Sequence, residues 1–120
     1  MKLNRIKASD FHERRMLITK VDYKVIFNSL ATSALEQGGS WLEIAKDEEN
    51  NLYIKVHSKF HDDFFKLNRS GSSFYLGKFN PIYLNFEPKD KIVIGEPDEN
   101  GFRKLTRLDE MPSLSQKFPG

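Results

Sequence analysis

A chain of 120 residues without cysteine and with a formal net charge of +2 is long enough to bury a hydrophobic core as one domain. Disulfides, thiolate chemistry and cysteine-based zinc sites are excluded, and no apolar run approaches the roughly 18 residues that a membrane span needs. We therefore expect a cytoplasmic protein without a signal peptide, with a single domain over residues 1–110 and a poorly ordered tail over residues 111–120.

Residues 16–39 predict a short strand followed by the main helix of the domain. Residues 16–18 are apolar and suit a strand. From Asp22 onward, apolar residues recur at spacings of three and four, at Tyr23, Phe27, Leu30, Ala31 and Ala34. Asp22 is a suitable N-cap, and Gly38-Gly39 ends the pattern because glycine adopts the left-handed conformation of a helix C-terminus. We predict a helix over this segment that packs Phe27, Leu30 and Ala34 onto a sheet.

After these glycines the apolar period changes to two, which predicts β-strands. Residues 41–45 and 52–56 flank a polar linker with the composition of a hairpin turn. Further strands are predicted over residues 74–76, 82–86, 91–94 and 102–108. One helix followed by about six short strands indicates an α+β fold with a small curled antiparallel sheet or barrel.

The histidines do not form a recognisable catalytic motif. His57 and His61 are four residues apart and precede Asp62 and Asp63, which is the spacing of a metal site on a helix. Because His57 is predicted to end a strand, the two imidazoles should diverge. We therefore expect no enzymatic activity, no metal site and no cofactor.

Aromatic and basic residues are interleaved in the middle of the chain. Nine of the fifteen aromatic residues lie between Tyr53 and Phe86, and residues 55–78 carry a net charge of +3, whereas residues 36–51 carry one lysine and five carboxylates. Rings stack on bases while lysine and arginine neutralise phosphates, so this pattern is typical of a nucleic-acid-binding surface. It also fits a small β-rich core with a solvated rim, and both interpretations stay open.

The alternation of side chains along a strand indicates which residues could contact nucleic acid. In residues 52–56 it buries Leu52, Ile54 and Val56 and places Tyr53 and Lys55 on the opposite face. Arg103 and Arg107 share a face of the last predicted strand. The predicted binding residues are Tyr53 for stacking on a base and Lys55, Lys59, Lys66, Arg69, Arg103 and Arg107 for contacts with phosphate.

Residues 82–94 have the pattern of a strand, a Pro-x-Asp turn at Pro88-Lys89-Asp90 and a second strand, a module that recurs in small β-barrels. Together with the order of one helix and then strands, this resembles PUA-like RNA-binding domains, in particular the small regulators encoded by pheromone-responsive conjugative plasmids of Gram-positive bacteria. The resemblance implies a PUA-like fold and an RNA-binding regulator that dampens the expression of transfer genes. It favours RNA over DNA and carries over no binding residue.

The expected function is non-enzymatic binding of single-stranded RNA, with DNA as the second candidate ligand. The alternative is a protein-interaction or structural module, including a homodimer, in which the aromatic residues form an interface. Tyr75, Phe79 and Tyr83 distinguish the two interpretations. If they form one exposed patch without basic neighbours, the interface is favoured.

Overall fold

The computed structural model describes residues 2–4 and 15–111, which form one antiparallel sheet and two short helices. Apart from Met111, the predicted tail lies outside the described residues. The strands are β1 Leu17–Val21, β2 Lys24–Phe27, β3 Trp41–Lys46, β4 Leu52–His57, β5 Phe65–Lys66, β6 Asn68–Ser70, β7 Ser73–Leu76, β8 Lys91–Pro97 and β9 Arg103–Arg107. The helices are α1 Ser29–Leu35 and α2 Pro81–Asn85, and 3₁₀ turns span Glu36–Gly38 and Leu108–Glu110.

The sheet curls into a nearly closed barrel because its two edge strands are consecutive in the chain. The strand order is β5-β3-β4-β9-β8-β1-β2-β7-β6. Only Leu67 separates β5 from β6, and its N–H donates to the carbonyl of Ser40 at 2.8 Å. Residues 65–70 thus pair with β3 on one side and with β7 on the other, which covers both edges. The prediction of a small curled antiparallel sheet or barrel is confirmed in this outline.

Inward-facing side chains fill the barrel. Ile18 of β1 pairs with Phe27 of β2 and with Ile92 of β8, and all three are fully buried. Leu42 of β3 and Ile54 of β4 are equally inaccessible. Burying a side chain of this size contributes roughly 1.5–3 kcal/mol, so the interior is a packed core, as in other small barrels. A ligand would therefore bind on the outer surface of the barrel.

The first half of the predicted helix is wrong. Residues 17–27 form the β1–β2 hairpin, in which Val21 pairs with Lys24. Asp22 lies in the turn with a φ of 50°, and the N-cap of α1 is Asn28, whose side chain accepts the N–H of Ala31 at 2.9 Å. Leu30, predicted to be buried, is 42% exposed. The apolar spacing that suggested one long helix arises from two elements: the apolar residues alternate in β2, and those after Asn28 belong to α1.

The predicted strand over residues 82–86 is also wrong, because this segment forms α2. The side chain of Asn80 accepts the N–H of Tyr83 at 3.0 Å, and Pro81 occupies the first turn. Ile82 is buried as predicted, whereas Leu84 is 75% exposed. Asparagine as N-cap followed by proline is a helix-start signal. The module of two strands that supports the PUA-like resemblance therefore lacks its first strand.

Helix α1 is tied to the sheet by a buried hydroxyl. It packs on β1, β2 and β7, and Oγ1 of Thr32 accepts the N–H of Phe74 at 2.9 Å. The 3₁₀ turn Glu36–Gly38 extends the helix, and Gly39 ends it where the glycine signal predicts, with a φ of 127°. The longer helix has seven residues, and none in the described part of the chain is long and apolar enough to cross a membrane.

Candidate nucleic-acid interface

The pairing register aligns aromatic and charged side chains in rows on the outside of the barrel. Trp41 of β3 lies between Lys66 of β5 and His57 of β4. The next row of the β3–β4 hairpin pairs Glu43 with Lys55, and the row after it aligns Ala45, Tyr53 and Lys104 across three strands. This outer face therefore carries both predicted and unpredicted candidates.

An open groove of about 590 Å³ runs beside the first row. Two of the predicted cations, Lys66 and Arg69, line the groove, and Lys59 follows the groove residue Ser58 in the chain. We call this region the groove surface and define it by Ser40, Trp41, Lys59, Phe60, Lys66 and Arg69.

Two rings and a lysine form the centre of the groove surface. Nζ of Lys66 donates to Oγ of Ser40 at 2.9 Å and lies 4.8 Å from the ring centroid of Trp41. Phe60, which is 62% exposed, meets Trp41 edge to face with the centroids 4.9 Å apart. The arrangement places a cation and two surface rings within reach of one ligand.

Arg69 is held at the wall of the groove. Its Nη1 forms an ion pair with the carboxylate of Glu36, and its Nε donates to the carbonyl of Gly71 at 3.1 Å. Both partners of the ion pair are substantially exposed, so the pair contributes little to stability. A phosphate that approaches the guanidinium competes with Glu36 for the same donors.

The backbone beside the groove surface depends on Gly39, which precedes β3. An ideal Cβ at this position would lie 2.3 Å from the carbonyl oxygen of His57, at the end of β4. The φ of 127° is also outside the range that other residues readily adopt. Glycine thus lets the chain leaving α1 pass close under β4 and enter β3 at Trp41.

His57, the last residue of β4, and His61, in the loop that follows it, both contact neighbouring side chains. Nε2 of His57 lies 2.8 Å from Oε1 of Glu43, and the imidazole stacks on Phe64 with the centroids 4.3 Å apart. His61 also packs on Phe64, and its Nδ1 accepts the N–H of Asp63 at 3.1 Å. Within residues 2–4 and 15–111, no group of three or more His, Cys, Asp or Glu side chains is placed to hold a metal ion.

Tyr53 lies at the opposite end of the β3–β4 hairpin, among carboxylates. Its hydroxyl donates to Oδ2 of Asp47 at 3.1 Å. The side-chain hydrogen bond from Asn51 holds the pKa of Asp47 below its usual value, and the hydrogen bond to Asp47 raises the pKa of Tyr53. Glu49 and Asp98 raise it further. We call this region the acidic end and define it by Asp47, Glu48, Glu49 and Asp98.

The remaining predicted cations are not brought to the groove. Lys55 points toward the acidic end, where its Nζ lies 5.5 Å from the ring of Phe102. Arg103 pairs in register with the buried Ile54 and donates from Nη1 to the carbonyl of Gly95 at 3.1 Å. Arg107 contacts two carboxylates, with Nε 3.2 Å from Asp90 Oδ2 and Nη1 3.3 Å from Glu110 Oε1. The two arginines share a face of β9, but it is the face that also buries Leu105.

A second cluster of lysines and rings surrounds the β1–β2 turn; from the sequence, Tyr75, Phe79 and Tyr83 were considered as one patch, but Lys20, Tyr23 and Lys24 were not joined to it. Each Nζ lies near a ring centroid: Lys20 at 4.1 Å from Tyr83, Lys24 at 4.9 Å from Tyr75, and Lys78 at 5.4 Å from Tyr23 and 5.2 Å from Phe79. Phe79 is 85% exposed and Tyr23 is 71% exposed. We call these seven residues the tip surface. Tyr23 and Lys24 face this cluster because they lie at the turn of the β1–β2 hairpin. They were assigned to a helix from the sequence alone, so they could not be placed here.

Two long-range hydrogen bonds hold the tip surface together, and in one of them Nζ of Lys20 donates to the carbonyl of Phe86 at 2.9 Å. The hydroxyl of Tyr83 donates to the carbonyl of Asp22 at 2.8 Å, which attaches α2 to the hairpin turn. Between residues 15 and 111, no carboxylate forms an ion pair with Lys20, Lys24 or Lys78. Because Lys20 is already engaged by the carbonyl of Phe86, the exposed ammonium groups of Lys24 and Lys78 are the charges most accessible to an anionic ligand.

Comparison with known proteins adds no relative: no family model, curated protein or solved structure matches this chain. Assignment of a function therefore depends on the geometry and charge of the surfaces described above.

Proposed function

We propose that the protein is a non-enzymatic regulator that binds single-stranded nucleic acid at the groove surface, with RNA favoured over DNA. The observation that carries the proposal is the open groove lined by Lys66 and Arg69 next to the ring of Trp41. A positively charged groove flanked by aromatic side chains is the arrangement used for single strands.

Each part of the groove surface has a separate role in this proposal. Trp41 and Phe60 stack on unpaired bases, which contributes roughly 1–3 kcal/mol for each base. Lys66 and Arg69 bind the phosphates that connect these bases, and Lys59 adds charge at the rim. A duplex hides the base faces, so the rings favour single strands.

The polar wall of the groove favours RNA. Ser40, Ser58 and Asn68 line it, and their hydroxyl and amide groups can donate to or accept from a ribose 2′-hydroxyl. DNA lacks this hydroxyl, so it leaves these groups to water. Regulation as the outcome of binding rests on the resemblance alone.

The protein-interaction alternative is less well supported. Tyr75, Phe79 and Tyr83 each have a lysine nitrogen near the ring, at 4.9, 5.2 and 4.1 Å. Lysine is depleted in the buried centre of protein interfaces, whereas rings with cations suit bases with phosphates. The basic neighbours of these rings therefore favour nucleic acid.

The test is a salt titration of binding to a labelled oligouridine RNA of about twelve nucleotides, a length within the range that single-strand-binding domains occupy. Binding should weaken as salt rises, and Lys66→Gln with Arg69→Gln should lower the slope by about 0.7 for each lost phosphate contact. Trp41 and Phe60 are unchanged in this variant, so residual binding should persist at low salt.

The matched control is Arg103→Gln with Arg107→Gln, which removes the same charge away from the groove. Its salt slope should stay close to that of the unchanged protein, and the same titration with DNA measures the preference for RNA. If neither RNA nor DNA binds in a salt-sensitive manner, nucleic-acid binding is rejected and the protein-interaction module becomes the better account.

A further inference from the structure

We infer that the groove surface and the tip surface are two ends of one track, along which a single strand runs across the outside of β6, β7 and β2. The inference rests on the proposed function and extends it to a second set of contacts and to the length of the bound strand.

The register makes the track continuous. Asn68 of β6 lines the groove and pairs with Tyr75 of β7, which in turn pairs with Ile26 of β2. These three side chains alternate with buried neighbours such as Phe74 and Leu76, so they share the outer face. Nζ of Lys24 lies over the ring of Tyr75 and leads from this row to the hairpin turn.

The charge of the tip surface fits a phosphate backbone. Lys24 and Lys78 lie beside the rings of Tyr75, Tyr23 and Phe79 and form no ion pair with a carboxylate within residues 15–111. The turn residue Asp22 is acidic, but three lysines surround the turn. Exposed rings with adjacent cations repeat here the chemistry of the groove surface.

The dimensions set the length of the strand. Neighbouring strands lie about 4.8 Å apart, and the path crosses three such spacings, from β3 to β5, from β6 to β7 and from β7 to β2. It also advances about two residues along the strands between Lys66 and Asn68 and again between Ile26 and Lys24, at about 3.3 Å per residue, so the diagonal path from Trp41 to the β1–β2 turn covers roughly 25 Å. At the roughly 3.4 Å rise of a stacked strand this corresponds to about seven nucleotides. An oligonucleotide of about three nucleotides can occupy only one end.

The test combines oligonucleotide length with variants of the tip. For the unchanged protein, affinity for oligouridine should rise from about three to about seven nucleotides and then level off. Lys24→Gln with Lys78→Gln, and separately Phe79→Ala, should each weaken binding of the longer RNA roughly tenfold. In both variants, the gain in affinity between RNA of about three and about seven nucleotides should be smaller than in the unchanged protein.

All three substituted side chains are on the surface, so the variants should fold, which circular dichroism verifies. The control variant is Lys46→Gln with Lys104→Gln, which removes two exposed lysines next to the acidic end and should bind like the unchanged protein.

The possible results separate the two proposals. If the tip variants bind the longer RNA as tightly as the unchanged protein while the groove variants lose affinity, the track is rejected and the proposed function stands. If only the tip variants lose affinity, the two surfaces do not form one track. If no oligonucleotide of any length binds, the proposed function itself fails.

Discussion

The two ends of the β3–β4 hairpin carry opposite chemistry on the same outer face. At the groove surface, Trp41 lies next to Lys66, whereas at the acidic end the hydroxyl of Tyr53 is bonded to Asp47. Both rings are outward-facing residues of regular strands. The difference is set by the segments that flank the strands, since the turn after β3 supplies carboxylates and residues 58–70 supply cations.

This contrast shows that two outward-facing aromatic rings on the same hairpin can have neighbours of opposite charge. Tyr53 was predicted to stack on a base because lysines follow it in the strand, yet Glu49 and Asp98 lie close enough to raise its pKa. A phosphate approaching this end meets repulsion from the same carboxylates. We therefore expect the groove surface to bind the ligand and the acidic end to help orient it by repulsion.

The largest expected effect is a loss of folding stability when a glycine is replaced at the groove end, compared with the same replacement at the acidic end. Gly39→Ala should destabilise the protein by about 3–5 kcal/mol, because the added Cβ meets the carbonyl of His57 and the backbone conformation is strained. The matched change at the acidic end is Gly101→Ala, where the φ is 87° and the nearest atom is the flexible Lys55 Cε at 3.3 Å. It should cost only about 1–2 kcal/mol.

Urea denaturation measures both losses. Equal losses in the two variants would show that the close approach of α1 to β4 does not hold the groove end together. A large loss confined to Gly39→Ala would show that the groove end tolerates less change of its backbone than the acidic end does.

A smaller effect concerns acid stability at the acidic end. The pKa of Asp47 is lower in the folded protein than in the unfolded chain, chiefly because of the hydrogen bond from the Asn51 side chain. The folded state therefore binds fewer protons than the unfolded state as pH falls below about 4, and the stabilisation by this carboxylate is lost through the lowered pKa.

Asp47→Asn removes this titration. Its melting temperature should fall less steeply with pH than that of the unchanged protein in the acid range. Parallel curves for the unchanged protein and Asp47→Asn would contradict the assigned role of this carboxylate.

Much of the sheet was predictable because period-two alternation is a local signal. The strand predictions that became β3, β4, β7, β8 and β9 are confirmed, as is the turn between β3 and β4. The β1–β2 hairpin was not predicted, because Tyr23, Phe27 and Leu30 imitate helical spacing across a strand and a helix. Residues 82–86 were predicted as a strand because Ile82 and Leu84 alternate with polar residues. The helix-start signal of Asn80 and Pro81, which the structure follows, was not used.

The candidate site was predictable only in part. Lys59, Lys66 and Arg69 were identified from composition, whereas their neighbour Trp41 was assigned only to a strand. The pairing of Arg69 with Glu36 joins residues 33 positions apart. The tip surface depends on the contact between Tyr83 and Asp22 across 61 positions. Such contacts depend on barrel closure and register, which the local pattern does not specify.

The most direct test of the groove surface uses Trp41, the only tryptophan of the chain. Its intrinsic fluorescence is recorded while single-stranded oligouridine of about seven nucleotides is added, and binding is followed in parallel by anisotropy of a label on the RNA. If a base stacks on this ring, the fluorescence should be quenched in proportion to the bound fraction, and added salt should reverse the quenching. Binding detected by anisotropy without any change in the fluorescence of Trp41 would contradict the placement of the ligand at the groove surface.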